Sequence, residues 1–253
     1  MRKVLIIGIG AGDPDYVTVQ AVEALNMVDV FFAIDKGSAK ADLVRLRTEI
    51  CDRHIQDPTY RVVEAQDPER DRTASAYRSA VDAWRSKRTD VYEAMLRDNL
   101  GDDECGAFLV WGDPSIYDGT LAIVEGVLAR GGVDFEYEII PGISSVQALA
   151  ARHKIALNRV GGPIHVTTGR RLAAGLPDEA SEVVVMLDAE CSFKQIPDRD
   201  IDIYWGAYLG TADEILISGK LHEMKDEIER VRGAARERKG WIMDTYLLRR
   251  VVR

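Results

Sequence analysis

The chain has 253 residues, of which 46% are hydrophobic and 30% are charged, and its formal net charge is −9. This length suits one large or two modest domains with a sizeable core. The acidic balance argues against general nucleic-acid binding, and no apolar run is long enough to predict a membrane span.

Strands and helices alternate through the first half of the chain. We predict strands over residues 4–9, 30–34, 60–63, 107–111 and 135–140. We predict helices over residues 18–27, 39–50, 75–100, 120–130 and 144–153. This succession predicts an N-terminal α/β domain with a mostly parallel sheet and helical crossovers.

Helices are scarcer in the second half, which predicts a mixed sheet. We predict a helix over residues 224–236, and strands over residues 164–168, 183–187, 203–208, 215–220 and 241–247. The expected division of the chain is an N-terminal α/β domain over residues 1–116 and a C-terminal α/β domain over residues 117–253.

The loop Gly8-Ile9-Gly10-Ala11-Gly12-Asp13 follows the first strand. A dinucleotide fingerprint needs a third glycine where Asp13 stands, and a carboxylate there would repel a pyrophosphate. Acids beside a glycine-rich turn instead suit a ligand without phosphates, such as S-adenosylmethionine. The alternative is that these glycines only make a tight turn between strand and helix.

Two further motifs follow predicted strands, and each opens a helix. One is Gly112-Asp113-Pro114-Ser115-Ile116-Tyr117, and the other is Pro141-Gly142-Ile143-Ser144-Ser145. Ser144 is also a natural N-cap for its helix. The carboxyl ends of parallel strands share one edge of the sheet, which is where open α/β sheets bind ligands.

These three motifs, in this order, resemble those of the tetrapyrrole (precorrin and uroporphyrinogen) methyltransferases over essentially the whole chain. The resemblance implies two α/β domains with S-adenosylmethionine in the cleft between them, a small tetrapyrrole substrate and a homodimer. The strings Ala33-Ile34-Asp35-Lys36-Gly37 and Gly240-Trp241-Ile242-Met243-Asp244 resemble the branch that methylates precorrin-5 at ring carbon one and releases acetate.

The resemblance also implies which residues contact the methyl donor. Position 11 departs from many relatives, which have proline where this chain has alanine. The implied donor contacts are Ala11, Trp111, Gly112, Asp113, Ile116, Ser144, Ser145, Met186 and Gly210. For Asp113 two roles stay open, because it can attract the positive donor or shape its own turn. Met186 can equally be a core residue.

Release of acetate requires a general base for water. Asp35, at the end of a strand, is the first candidate, although it can also cap a helix or pair with Lys36. Tyr117 and Asp118 are the next candidates. Because the substrate is a polycarboxylate and the protein is acidic, local arginines are expected to bind it, and we select Arg70, Arg72 and Arg170.

Other side chains give weaker signals. The three cysteines, Cys51, Cys105 and Cys191, have neither metal-ligand nor redox spacing, and no metal is expected. Thiols of this kind suit a reducing cytoplasm. The first residues mimic a short signal peptide, but acids replace the small-residue cleavage site, so a cytoplasmic protein is expected.

Two alternatives to this function stay open. The first is a sister methyltransferase that acts on another precorrin or on a diphthine-type protein substrate. The second is a nicotinamide-dependent oxidoreductase with Asp35 on the ribose, although the missing third glycine and the spacing of Asp35 count against it. A binding module without catalytic activity is a more distant third.

Overall fold

The structure is a computed structural model, and it describes residues 1–35, 41–69, 77–177, 180–197 and 200–250. Contacts between Cα atoms divide the chain into two compact units. The first unit comprises Met1–Gly10 and Pro14–Ile143, and the second comprises Ala11–Asp13 and Ser144–Arg253. Both are α/β units, which confirms the predicted fold class.

The first unit contains a five-stranded parallel sheet in the order β3-β2-β4-β1-β5. Its strands are β1 (Lys3–Gly8), β2 (Val30–Asp35), β3 (Arg61–Gln66), β4 (Cys105–Val110) and β5 (Glu136–Ile140). Its helices are α1 (Val19–Leu25), α2 (Ala41–His54), α3 (Tyr77–Asn99) and α4 (Thr120–Arg130).

Both faces of this sheet are buried. In β1, Val4 and Ile6 belong to the core that includes α3 and α4, whereas Leu5 and Ile7 belong to the core that includes α1 and α2. A strand covered on both faces needs such a continuous apolar run. Because β1 and β4 are neighbours and the helices that follow them cover opposite faces, the sheet has a topological switch point between these strands.

The second unit contains a five-stranded mixed sheet in the order β6-β7-β10-β8-β9, in which β6 and β7 are parallel and the other pairs antiparallel. Its strands are β6 (His165–Thr168), β7 (Glu182–Met186), β8 (Ile201–Ala207), β9 (Ile215–Lys220) and β10 (Asp244–Arg250). Its helices are α5 (Ser145–His153), α6 (Gly169–Leu172) and α7 (Leu221–Lys239).

A buried polar network lies inside the second unit. The guanidinium of Arg232 and the indole N–H of Trp205 both donate to Oδ2 of Asp244, over 2.9 and 3.0 Å. The hydroxyl of Tyr246 donates to Asp188 over 2.7 Å. These polar side chains are hydrogen-bonded to one another, as buried polar groups must be.

The predicted strands and helices correspond to elements of the structure, with ends that differ by a few residues. The short helix α6 was not among the predicted elements. The expected domain division at residues 116 and 117 does not coincide with the two units. The reason is that β5 pairs with β1 and α4 packs against α3, so residues 117–143 belong to the first unit. In the described ranges, no helix is both long and apolar enough to cross a bilayer.

Candidate functional site

The loops after β1, β4 and β5 lie against one another at the carboxyl edge of the first sheet. Gly10 and Gly112 exchange two backbone hydrogen bonds, over 3.3 Å from Gly10 N and 2.8 Å from Gly112 N. Both have positive φ, at 81° and 70°, which glycine adopts without strain. A Cβ on Gly142 would collide with the carbonyl oxygen of Gly112, and one on Gly8 would lie 2.7 Å from Gly142 N. The three motifs thus form one backbone cluster at the switch point.

The carboxylate of Asp113 holds two of these loops together. Oδ1 accepts the amide of Ser115 over 2.8 Å, and Oδ2 accepts the amide of Gly142 over 2.9 Å. Partial burial acts to raise the pKa of Asp113, but the hydrogen bonds from Ser115 and Gly142 outweigh it and hold that pKa below its ordinary value. Of the two roles left open, the structure therefore shows the turn-shaping one.

Ser144 caps α5. It is the N-cap residue, its hydroxyl accepts the amide of Val146 over 3.2 Å, and Gln147 accepts the backbone amide of Ser144 in return. This is a capping box, so the structural role weighed for Ser144 is confirmed. The hydroxyl of Ser145 lies 3.3 Å from that of Thr245.

The other predicted donor contacts lie at loops and strand ends. Met186 ends β7 and pairs with Thr168 on one side and with Thr245 on the other. Gly210 has a φ of 79°, and its amide donates to Glu214 over 2.8 Å. Ala11 is buried in the second unit, and Ile116 is half-buried in the loop that joins β4 to α4 in the first.

A cavity of about 500 Å³ opens at the carboxyl ends of β2 and β4, entirely within the first unit. Two of the predicted catalytic acids, Asp35 and Asp118, line it. Asp35 ends β2 and accepts a hydrogen bond from Gln66 over 2.9 Å. Asp118 accepts the amide of Thr120, the first residue of α4, over 2.7 Å. The cavity therefore brings together two acids that are far apart in the chain.

Tyr117 has an unusual backbone. Its φ is 52°, in the left-handed region that a residue other than glycine enters at a cost of roughly 1–3 kcal/mol. Its side chain is 47% exposed, and among the described residues it is not part of the lining of the cavity. Backbone strain of this kind is concentrated at functional sites and in ligand-binding loops.

Of the three predicted substrate arginines, Arg170 alone lies in the part of the chain that the structure describes. Arg70 and Arg72 lie outside the described residues, and Arg170 is exposed on α6 in the second unit. Two arginines that were not predicted from the sequence, Arg47 and Arg88, line the cavity. Their positions on helices did not predict a role in the site, because charged residues on helices are usually solvated.

Arg88 is neutralised inside the protein. Its Nε lies 3.1 Å from Oδ1 of Asp67, and its guanidinium stacks over the ring of Trp84 at 4.9 Å. Arg47 differs, because its Nη2 donates over 3.4 Å to the carbonyl of Leu109 and the described residues offer it no ion pair. Arg47 is thus a cation in this cavity with unused hydrogen-bonding capacity.

The cysteines are not arranged for nucleophilic chemistry. Cys51 lines the cavity, but burial raises the pKa of its thiol to about 11. Burial also raises the pKa of Cys105 to about 11. Such thiols stay protonated at neutral pH and are poor nucleophiles. Over the described ranges, no three His, Cys, Asp or Glu side chains are grouped as ligands of one metal ion.

The chain is similar to known proteins in both sequence and fold. A precorrin-6A synthase (deacetylating) of Sinorhizobium sp. is 52% identical over 99% of this chain and 96% of its own length. A Corynebacterium diphtheriae protein described as related to cobalamin synthesis (CobF) is 36% identical, with a TM-score of 0.87 and full coverage of both chains.

A more distant structure shares the fold. A uroporphyrin-III C-methyltransferase from Thermus thermophilus, in complex with S-adenosylhomocysteine, has a TM-score of 0.56 at 16% identity and covers 97% of this chain and 96% of its own. A sequence model of the family of tetrapyrrole (corrin/porphyrin) methylases matches residues 3–225 of this chain. The chain therefore belongs to the tetrapyrrole methylase family.

Proposed function

We propose that this protein transfers a methyl group from S-adenosylmethionine to ring carbon one of precorrin-5, with release of acetate. The observation that carries the proposal is the near full-length identity to the Sinorhizobium precorrin-6A synthase. The two acids of the cavity support it, since release of acetate needs a base that methyl transfer alone does not.

The backbone cluster supports the identity of the donor. Gly8, Gly10, Gly112 and Gly142 leave main chain without side chains at the sheet edge. The carboxylate of Asp113 adds negative charge there, which suits a sulfonium and an ammonium and opposes a pyrophosphate. The proposed donor-binding residues are Ala11, Trp111, Gly112, Asp113, Ile116, Ser144, Ser145, Met186 and Gly210.

When bound, the donor supplies a methyl group on a positively charged sulfur. The protein has to hold that sulfur in line with the ring carbon at near-attack distance, and such positioning can supply most of the rate enhancement. The loops that position it are tied by Asp113 and by the Gly10–Gly112 pair, so they are organised before the ligand binds.

Deacetylation breaks one carbon–carbon bond. A hydroxyl from water adds to the acetyl carbonyl carbon, the bond from that carbon to the macrocycle breaks, and its electron pair passes into the conjugated ring as acetate leaves. A general base takes the proton from the water. We propose Asp35 as the first candidate for this base and Asp118 as the second, because both line one cavity. Tyr117, the chain neighbour of Asp118, is the third candidate.

The reaction is tested with precorrin-5 prepared without oxygen. Incubation with the protein and S-adenosylmethionine in labelled water should give a macrocycle with one added methyl group and an equal amount of acetate that carries the label. A methylated product that keeps its acetyl group would contradict the deacetylating activity. If precorrin-5 takes up no methyl group but another precorrin does, the protein is instead a sister methyltransferase that acts on that precorrin.

The donor is tested by calorimetry. S-adenosylmethionine and S-adenosylhomocysteine should bind, and NAD and NADP should give no comparable signal. Tighter binding of a nicotinamide cofactor would favour the oxidoreductase alternative instead.

We also propose a cytoplasmic homodimer. The family resemblance supports the dimer, and the three free cysteines suit a reducing compartment. Light scattering should give twice the chain mass of 28.1 kDa. A mass of one chain at micromolar concentration would contradict the dimer.

A further inference from the structure

Among the described residues, three buried donors of the cavity lining lack a hydrogen-bond acceptor, and one of them, Nε of Arg88, is ion-paired with Asp67 over 3.1 Å. Nε of Arg47 and Nε1 of Trp111 are both buried, and neither has a partner within the described part of the chain. Both side chains line the cavity. Buried polar groups are nearly always hydrogen-bonded, so two unmet donors in one cavity indicate an acceptor that the protein itself does not supply.

The two donors lie on the same side of the sheet. Arg47 is on α2, and its guanidinium reaches the carbonyl of Leu109 in β4. Trp111 follows two residues later, and Leu109 and Trp111 both pack against the core that includes α1 and α2. Because Leu109 and Trp111 pack against the same core, the indole lies on the face of the sheet that α2 and Arg47 cover.

The charge of Arg47 specifies the kind of acceptor. Burial lowers the pKa of Arg47, and the nearby Tyr92, Asp118 and Cys51 only partly offset that effect. Arg88, the other cavity arginine, is already paired with Asp67. An anion beside Arg47 would remove the penalty of an unpaired, desolvated cation. The flat guanidinium matches a carboxylate through two parallel hydrogen bonds.

We infer that Arg47 and Trp111 bind a carboxylate arm of the tetrapyrrole substrate, through the guanidinium and the indole N–H. The inference rests on the proposed function, because a precorrin is a polycarboxylate. A carboxylate bound at Arg47 places the adjoining edge of the macrocycle in the cavity that Asp35 and Asp118 line. Arg47 thus anchors the substrate beside the proposed base.

The test measures binding of precorrin-5, without oxygen and with S-adenosylhomocysteine present, by quenching of tryptophan fluorescence. The variant Arg47→Gln removes the charge. Its matched control is Arg45→Gln, because Arg45 is an exposed arginine on the same helix. A charge-assisted contact predicts a dissociation constant raised about 10- to 100-fold for Arg47→Gln and no change for Arg45→Gln.

Further variants separate the contacts. Arg47→Lys keeps the charge but loses the two-pronged contact, so its affinity should fall between those of the wild type and Arg47→Gln. Trp111→Phe keeps a ring for the proposed donor contact and removes only the N–H, so at saturating S-adenosylhomocysteine it should weaken precorrin-5 binding about 2- to 10-fold. If both groups hold one carboxylate, the double variant should lose less than the product of the single losses.

The outcomes distinguish this inference from the proposed function. A wild-type protein that neither methylates nor deacetylates precorrin-5 overturns the proposed function, and this assignment with it. If the wild type turns over precorrin-5 normally but Arg47→Gln and Arg47→Lys bind it as tightly as Arg45→Gln does, only the assignment of the carboxylate site is overturned. Calorimetry with S-adenosylhomocysteine checks that the Arg47 variants are folded. If Arg47→Gln does not fold, Arg47→Lys and Trp111→Phe still decide, since equal affinity to the wild type in both rejects the site.

Discussion

The carboxylate of Asp113 accepts the backbone amide of Gly142 over 2.9 Å, across 29 positions of the chain. The same carboxylate accepts the amide of Ser115. One side chain therefore shapes the loop after β4 and fixes the loop after β5 to it. The acid of the central motif is a structural tie between two proposed donor-binding loops, whatever else it contacts.

Asp113→Asn should reduce the free energy of unfolding by about 1–2 kcal/mol, because an amide is a weaker acceptor than a carboxylate for these two amides. The pKa of Asp113 is lowered in the folded state. Its stabilisation is therefore full above the pKa of the unfolded chain and is lost as the pH falls through the folded pKa. Urea denaturation should show the two proteins converging at acidic pH, and a pH-independent difference would contradict this assignment.

Gly142→Ala should destabilise the first unit by about 1–3 kcal/mol, because the new Cβ would collide with the carbonyl of Gly112. Binding of S-adenosylhomocysteine should weaken as the loops move apart. Gly119→Ala is the matched control, since a Cβ there meets no described atom within 4 Å. Equal thermal stability and equal donor affinity for the two variants would contradict the prediction, because the close contact between Gly142 and Gly112 would then not be needed.

Asp35→Asn should slow acetate release by roughly 100-fold or more, the usual effect of a lost general base, with affinity for S-adenosylhomocysteine unchanged. Asp118→Asn is a clean second variant, because an asparagine oxygen can still accept the amide of Thr120 at the start of α4. Mass spectrometry should find a methylated product that retains its acetyl group. Normal acetate release by either variant removes that residue from the reaction.

Arg232→Leu should destabilise the protein by about 3–5 kcal/mol at neutral pH, because it leaves the buried carboxylate of Asp244 without its cation. Burial already raises the pKa of Asp244, although Arg232 and Trp205 oppose this rise. A raised folded pKa is unfavourable only where the unfolded chain is ionised, so the loss should shrink toward pH 4. Thermal unfolding from pH 4 to 8 measures this trend.

The double variant Arg232→Leu/Asp244→Leu should recover most of the lost stability at neutral pH, because no charge is then left buried. A double variant as unstable as Arg232→Leu would mean that shape, rather than charge, decides at this site.

The elements of the first unit were predictable because their local signals agree. β1 is apolar from Val4 to Ile7 and ends at Gly8, and α4 is capped by Gly131, whose φ is 67°. The division between the units was not predictable in the same way. This division depends on the pairing of β5 with β1, which lies more than a hundred residues away. The sequence of residues 117–143 alone does not indicate which sheet they join.

The candidate site was predictable where backbone geometry demands glycine, as at Gly112 and Gly142. It was not predictable where the chemistry lies in side chains on helices. Arg47 and Arg45 differ by two positions on α2, yet one lines the cavity and the other is exposed. Only the packing of α2 on the sheet distinguishes them.

The paired amides of Gly10 and Gly112 link the motions of two loops. Each amide is hydrogen-bonded to the other glycine's carbonyl, so any local opening that frees one must free the other. In deuterium exchange these two amides would take up label at a common rate, even though a hundred residues separate them. A ligand that holds either loop shut would therefore protect both from solvent.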